Sequence, residues 1–186
     1  MKVPTAVILV HGFLDRHVIF RRMGKFLVQQ GFNVYDDLNL KPNTGKHGIE
    51  NLALQLASYI ETHIPKGQSI TIVGFSMGGL VARYYIQNLN KDYIVKKLIT
   101  IAAPHHGTLL GYLLPIKSCI QLRPKSEFLR ILDNDMGKLK DVQVTSIWAR
   151  FDTMIVPNKS SHLPFGSEII LPFGLHFILP LTKRVI

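Results

Sequence analysis

A serine with glycines on both sides is the clearest chemical feature of the chain. It lies in Gly74-Phe75-Ser76-Met77-Gly78, after a short apolar run and before a segment of helical periodicity. Glycines two residues to either side permit a tight turn between strand and helix that projects the serine hydroxyl above a sheet. The alternative is a purely structural glycine-rich turn, but the strand and helix on its two sides favour a nucleophile at Ser76.

A serine nucleophile needs partners elsewhere in the chain. The hydroxyl is a poor nucleophile at neutral pH until a base takes its proton, and a carboxylate normally orients that base. The sequence offers eight histidines and several aspartates for these roles. Their positions relative to the predicted strands and helices must decide among them.

Short β-rich apolar runs alternate with segments of helical periodicity, a pattern typical of a parallel sheet with helices on its faces. We predict strands over residues 5–10, 32–35, 69–73, 95–101, 142–148 and 169–171. We predict helices over residues 18–30 and 49–64, from the serine turn to about residue 88, and briefly after His176. The result is a doubly wound α/β fold of about six strands.

Residues 104–141 interrupt this alternation with an apolar insertion that also carries several basic residues. Its leucines, isoleucines and aromatic residues must be buried somewhere. The insertion either packs on the core as an extra pair of helices or forms the wall or partial lid of an apolar substrate pocket.

Composition limits the class of protein. The chain has 186 residues, of which 47% are hydrophobic and 18% charged, which fits one folded domain over residues 1–186 and excludes a disordered chain. The single cysteine, Cys119, excludes a disulfide scaffold.

The start, Met1-Lys2 and then Val3 to Val10, resembles a signal peptide but lacks a cleavage site, so we interpret it as a buried strand. No segment is long and apolar enough to predict a transmembrane helix.

The charge is strongly positive: 22 Lys and Arg against 12 Asp and Glu give +10. These basic residues are spread along the chain without a block of five or six. A soluble basic surface is the simplest interpretation, attraction to an anionic membrane or substrate is the second, and binding of nucleic acid is disfavoured.

Four segments give the chain a family resemblance. They are Val10-His11-Gly12-Phe13, the turn of residues 74–79, Ala103-Pro104-His105-His106-Gly107-Thr108, and Asp152-Thr153-Met154-Ile155-Val156-Pro157. In this order they resemble the α/β-hydrolase superfamily, and within it the small bacterial lipases and the inositol-deacylase-like esterases. The resemblance implies a minimal α/β-hydrolase fold with a mostly parallel sheet and helices on both faces.

The resemblance also implies roles for residues, since the triad of this fold runs Ser, Asp, His along the chain. Asp152 matches the acid, in preference to three aspartates of the insertion, Asp133, Asp135 and Asp141. His176 matches the base, with His162 as the alternative. His11 resembles the structural histidine that braces the oxyanion loop. The backbone N–H groups of Phe13 and Met77 match the donors of the oxyanion hole.

We therefore expect a serine hydrolase of carboxylic esters, a lipase or esterase of lipid metabolism for short to medium acyl chains. Its acyl pocket is predicted to include five residues: Leu14, His105, Leu109, Leu110 and Ile155. A thioesterase, a phospholipase and an acyltransferase with the same triad remain alternatives, as does a catalytically silent module that binds lipid or protein.

No metal or nucleotide motif is present, so no cofactor is expected. The expected location is the cytoplasm or the membrane periphery, or outside the cell if an upstream signal has been removed.

Overall fold

Six parallel strands form the centre of the computed structural model, which describes residues 5–182. The strands are β1 (Ala6–Val10), β2 (Asn33–Tyr35), β3 (Ser69–Phe75), β4 (Ile94–Ile101), β5 (Gln143–Ala149) and β6 (Ser167–Leu171). They lie in the order β2-β1-β3-β4-β5-β6, and every neighbouring pair is parallel. The predicted doubly wound α/β architecture is confirmed.

The order of the strands reverses beside β1. The chain first runs outward to β2 and then returns past β1 to β3, after which it proceeds in one direction to β6. In open α/β sheets, ligands bind outside the carboxyl ends of the strands at such a reversal. The segments that leave β1 and β3, which start at His11 and Ser76, meet at this place.

Five α-helices surround the sheet within residues 5–182. They are α1 (Arg21–Gln29), α2 (Ile49–His63), α3 (Met77–Tyr84), α4 (Lys117–Gln121) and α5 (Glu127–Asn134). Alternate residues of β1 enter two separate apolar clusters: Ala6, Ile8 and Val10 pack with residues of α2 and α3, whereas Val7 and Leu9 pack with Met23 of α1. The buried sheet therefore has apolar layers on both faces, as a parallel sheet requires.

Several boundaries differ from the prediction. β3 continues to Phe75, because Gly74 and Phe75 still pair with Thr100 and Ile101 although glycine suggests a turn. The predicted helix 18–30 is a 3-10 helix, His17–Phe20, followed by α1. The predicted helix after Ser76 consists of α3, which ends at Tyr84, and a π-helical turn, Tyr85–Leu89, that follows it directly. β6 begins at Ser167, two residues early, and the helix at His176 is a 3-10 helix that ends at Leu181.

The amino-terminal apolar run forms a strand, as interpreted from the sequence. All five residues of β1 are buried between its neighbours β2 and β3. The start of the signal-like segment, Met1 to Pro4, lies outside the described residues. Within residues 5–182, no helix has the length and hydropathy that a membrane span needs.

The insertion has two parts with different surroundings. In its second part, Phe128, Leu129 and Leu132 of α5 are buried in the apolar cluster that contains residues of α2 and α3, as an extra core helix would be. In its first part, a 3-10 helix, Leu109–Tyr112, and α4 lie beside the carboxyl ends of the strands.

A buried arginine connects the insertion to α3. The Arg83 side chain is fully buried; its Nη2 donates to Leu132 O at 2.9 Å and to Asp133 Oδ1 at 2.8 Å. Burial lowers the pKa of Arg83, and the charge of Asp133 opposes that effect. Asp133, which the sequence offered only as a disfavoured alternative to Asp152, neutralises this buried charge because α5 lies against α3.

Replacing Asp133 tests this connection. In Asp133→Ala the Arg83 guanidinium loses its charged acceptor, so we expect the free energy of unfolding to fall by about 1–3 kcal/mol. Because the Asp133 side chain is 38% exposed, water replaces part of the lost interaction. Urea denaturation followed by circular dichroism measures the change. Asp141→Ala, at an exposed position, is the matched control, and equal midpoints for the two variants would contradict the prediction.

Candidate active site

Ser76 occupies a strained turn between β3 and α3. Its backbone has φ 53° and ψ −126°, a conformation that L-residues rarely adopt and that costs on the order of 1–3 kcal/mol. The Ser76 N–H donates to Ile101 O of β4 at 2.8 Å. The turn is therefore anchored to the neighbouring strand, and α3 starts at the next residue.

Two glycines make this turn possible. A β-carbon on Gly78 would overlap the carbonyl oxygens of Val10 and His11, because the first turn of α3 lies directly against the end of β1. A β-carbon on Gly74 would lie 2.6 Å from Gly79 Cα. The glycines that flank the serine thus allow α3, β3 and β1 to approach more closely than side chains would permit.

The structure brings Ser76, His176 and Asp152 together. His176 Nε2 lies 2.9 Å from Ser76 Oγ, and His176 Nδ1 lies 2.9 Å from Asp152 Oδ2 and 3.1 Å from Asp152 Oδ1. All three residues are almost fully buried. The alternative histidine, His162, is an exposed residue that pairs with Glu168 at 2.8 Å.

Backbone and aromatic contacts orient this group. Asp152 Oδ1 accepts hydrogen bonds from the N–H groups of Met154 at 2.7 Å and Ile155 at 3.1 Å, which leaves Oδ2 directed at His176. The imidazole also packs against the ring of Phe75, with centroids 4.9 Å apart. A histidine held in this way can take the proton of a serine hydroxyl through Nε2 while the carboxylate fixes its tautomer.

The loop after β1 lies beside Ser76 and is held by His11. His11 Nε2 accepts from the Leu40 N–H at 2.9 Å, so its Nδ1–H donates to Gly12 O at 3.0 Å. Burial lowers the pKa of His11, in keeping with a neutral ring that has one donor and one acceptor. Phe13 follows in this loop, and Met77 provides the first N–H of α3, which has no acceptor within the helix.

An apolar cavity of about 160 Å³ opens at Ser76 and His176. Three residues of the predicted pocket line it: Leu14, Leu110 and Ile155. The other residues of its wall are Phe13, Pro104, Thr108, Gly111, Leu113, Leu114, Cys119, Leu122, Met154 and Phe177. The first part of the insertion therefore forms one wall of the cavity.

The other two predicted pocket residues, His105 and Leu109, are not part of this wall. His105 is fully buried beside β4, with Nε2 3.1 Å from Thr100 Oγ1, and burial lowers its pKa strongly. The Leu109 backbone N–H bonds to Val156 O, but its side chain is 55% exposed. Neither residue belongs to the described wall, so a contact of either one with the substrate stays a prediction.

Sequence reasoning missed other wall residues. The apolar character of the insertion marked Leu113 and Leu114 only as members of a group. Cys119 and Met154 had no distinguishing signal, because only the packing of α4 and of the loop after β5 brings them to the cavity.

Comparison with known proteins identifies relatives. The family model of palmitoyl protein thioesterases matches residues 6–143. Triacylglycerol lipase 2 of Saccharomyces cerevisiae is 27% identical over 157 residues, which cover 78% of this chain and 44% of that protein. Putative esterase/lipase 3 of Mycoplasma pneumoniae is 31% identical over 111 residues, which cover 57% of this chain and 39% of that protein. The chain thus spans less than half the length of either relative.

Solved structures share the fold. The mature form of the Bacillus licheniformis lipase BlEst2 aligns with a TM-score of 0.70 and 14% identity, covering 96% of this chain and 87% of that one. The ydeN gene product of Bacillus subtilis aligns with a TM-score of 0.67 and 14% identity, covering 93% of this chain and 88% of that one. The fold is that of the α/β-hydrolases, as the sequence motifs implied. Because the family model extends from β1 to the start of β5, with Ser76 inside the matched segment, the chain belongs to the palmitoyl protein thioesterase family.

Proposed function

We propose that this protein hydrolyses carboxylic esters through an acyl-enzyme formed on Ser76. The observation that carries the proposal is the continuous hydrogen-bonded chain from Ser76 through His176 to Asp152 at the mouth of an apolar cavity. Lipases and esterases among the relatives support a hydrolase.

In the proposed first step, Ser76 Oγ attacks the acyl carbon while His176 Nε2 accepts the hydroxyl proton. Asp152 keeps its negative charge and stabilises the imidazolium that forms. The bond to the leaving group then breaks, and His176 returns the proton to the departing oxygen. Water then attacks the acyl carbon of the acyl-enzyme while His176 Nε2 accepts a water proton. The bond to Ser76 Oγ breaks, and His176 returns the proton to Ser76 as the acid is released.

The negative charge that develops on the carbonyl oxygen needs donors, and we assign them to the N–H groups of Met77 and Phe13. Met77 follows the nucleophile at the start of α3, where the helix dipole also favours an anion. Phe13 lies in the loop that His11 holds beside Ser76, and it lines the same cavity.

Substitution of the nucleophile tests the proposal. Ser76→Ala should lose at least about a thousandfold in kcat toward p-nitrophenyl butyrate, since the residue that forms the acyl-enzyme is gone. Ser58→Ala, at an exposed serine of α2, should retain the wild-type rate. Wild-type turnover by Ser76→Ala would overturn the proposal.

The cavity favours short acyl chains. An apolar cavity of about 150 Å³ holds a benzene molecule, so the 160 Å³ here accommodates an acyl chain of roughly six carbons. A longer chain would have to continue past the exposed side chains of Leu113 and Leu114 at the mouth.

A larger side chain in the cavity should therefore shorten the preferred substrate. Cys119→Met should lower kcat/KM for p-nitrophenyl hexanoate about fourfold or more relative to the acetate, which corresponds to the exclusion of one or two methylene groups. Ile120→Met changes the neighbouring position of α4, which does not line the cavity, and should leave the ratio unchanged. An unaltered ratio in Cys119→Met would place the acyl chain elsewhere.

The same catalytic group would also serve other leaving groups. The family is named for thioesterases, whose leaving group is a thiol. The rates of hydrolysis of a thioester and an oxyester with the same acyl chain should therefore be compared directly. An added alcohol would reveal acyl transfer through its ester product. Failure of fluorophosphonate probes to label Ser76 would instead indicate a silent binding module.

We further propose transient contact with an anionic lipid surface. Four residues of the cavity wall remain substantially exposed: Leu14 at 61%, Leu113 at 71%, Leu114 at 45% and Phe177 at 51%. These apolar residues line the cavity, and the chain that carries it has a net charge of +10. Such a combination would favour contact with acyl chains beneath negatively charged headgroups.

Salt should weaken this contact. Between 10 and 500 mM NaCl, the Debye length falls from about 30 Å to less than 10 Å, so hydrolysis of an ester embedded in anionic vesicles should decline severalfold. Hydrolysis of soluble p-nitrophenyl butyrate in the same buffers controls for direct effects of salt on catalysis. Equal salt dependence with the two substrates would argue against electrostatic attraction.

A further inference from the structure

A second carboxyl group lies next to Ser76 and His176, and the proposed triad does not use it. Asp15 follows Phe13 and Leu14 in the loop after β1. Its Oδ2 atom is shielded from solvent and accepts no hydrogen bond from any residue in the described range 5–182. A buried carboxyl oxygen without a donor is costly, and such groups in native proteins are usually satisfied by water or a ligand.

The loop folds Asp15 back toward the nucleophile. Leu14 adopts a left-handed conformation with φ 59°, and the Asp15 N–H donates to Gly12 O at 3.3 Å. A β-carbon on Gly12 would lie 2.9 Å from Ser76 Cβ and 3.4 Å from Asp15 Oδ2. Ser76 and Asp15 therefore crowd the same side of Gly12, and the absence of a side chain there leaves space between them.

The loop also separates two kinds of surface. Phe13 and Leu14 line the apolar cavity. The next residue but one, Arg16, lines a second cavity of about 440 Å³, whose wall includes the polar side chains of Lys41 and Asn43. Asp15 lies between the two cavities and is bound to the wall of the second, because the Asn43 side chain donates to Asp15 O at 3.1 Å.

Electrostatics connects Asp15 to the base. Burial raises the pKa of Asp15, and the nearby charge of protonated His176 opposes that rise. The two groups are thus close enough to interact although they form no direct hydrogen bond. The open side of Gly12, which Ser76 Cβ and Asp15 Oδ2 both face, lies beside the hydroxyl that His176 Nε2 contacts.

We propose that Asp15 is a positioning residue that accepts a hydrogen bond from the water that attacks at Ser76, or from a free hydroxyl of the leaving group next to the ester oxygen. The proposal rests on the acyl-enzyme function above and adds the side chain that receives the oxygen nucleophile. The ligands concerned are water in deacylation and, in acylation, a leaving group that keeps a free hydroxyl beside the ester oxygen, such as glycerol.

The chemistry balances without a net change at Asp15. In deacylation, the water oxygen bonds to the acyl carbon while the bond from that carbon to Ser76 Oγ breaks. One water proton passes to His176 Nε2 and then to Ser76 Oγ. The second O–H of the same water donates to Asp15 Oδ2 and remains on the product acid. Asp15 thus aligns the lone pair of the water without accepting a proton.

This role predicts a particular separation of rate constants in Asp15→Asn at pH 8. With p-nitrophenyl butyrate, kcat/KM reports acylation. This kcat/KM should not change, because the departing phenolate has no hydroxyl that could donate to Asp15. The kcat value reports deacylation by water and should fall roughly ten- to a hundredfold, the range for loss of a charged hydrogen-bond partner. With glycerol monobutyrate, kcat/KM should also fall by a similar factor.

Intact-protein mass spectrometry supplies an independent measurement: once free substrate is removed, the butyryl group on Ser76 should persist roughly ten- to a hundredfold longer in Asp15→Asn than in the wild type. Asp141→Asn, which removes an exposed carboxylate far along the chain, is the matched control. A uniform loss of all parameters, or no change in any, would overturn the role of Asp15. If the wild-type protein neither hydrolyses the ester nor becomes acylated, the proposed function itself has failed.

Discussion

The close packing of α3 against the end of β1 is the constraint on which the site depends. Gly78 lies against the carbonyl oxygens of Val10 and His11, where any side chain would overlap them. This contact fixes the first turn of α3 relative to the sheet, so the backbone at Ser76 must reverse within one residue. The strained conformation of Ser76 is stabilised by the surrounding core, since β3 and α3 are almost entirely buried.

The other two members of the catalytic group depend on the sheet in a different way. Asp152 and His176 follow β5 and β6, which lie at the opposite side of the sheet from β1. They reach Ser76 because all the strands are parallel and their carboxyl ends share one edge. The N–H groups of Met154 and Ile155 then fix the carboxylate, so the geometry depends on a local turn and not only on the strand.

Sequence predicted the parts of this arrangement that local patterns encode. Apolar runs placed all six strands, and the residues after three of those strands, Ser76, Asp152 and His176, are the ones that the structure brings together; their catalytic roles remain predictions. Orientation after a turn was not predictable. Leu109 and Leu110 are adjacent and equally apolar, yet of the two only Leu110 lines the cavity, whereas Leu109 is 55% exposed. His105 is buried beside Thr100 of β4, and Asp15 carried no recognisable pattern.

Thr108 gives the cavity wall a direct connection to the acid. Its hydroxyl donates to Met154 O at 2.9 Å and accepts from the Val156 N–H at 3.1 Å, while Met154 and its neighbour Ile155 donate to Asp152 Oδ1. The loop that orients the carboxylate is therefore the same loop that supports the first part of the insertion. The second part is held separately by the ion pair of Arg83 and Asp133. A change of side chain deep in α4 can alter the volume of the cavity within this framework, whereas a change that displaces the backbone at residue 108 must also disturb the orientation of Asp152.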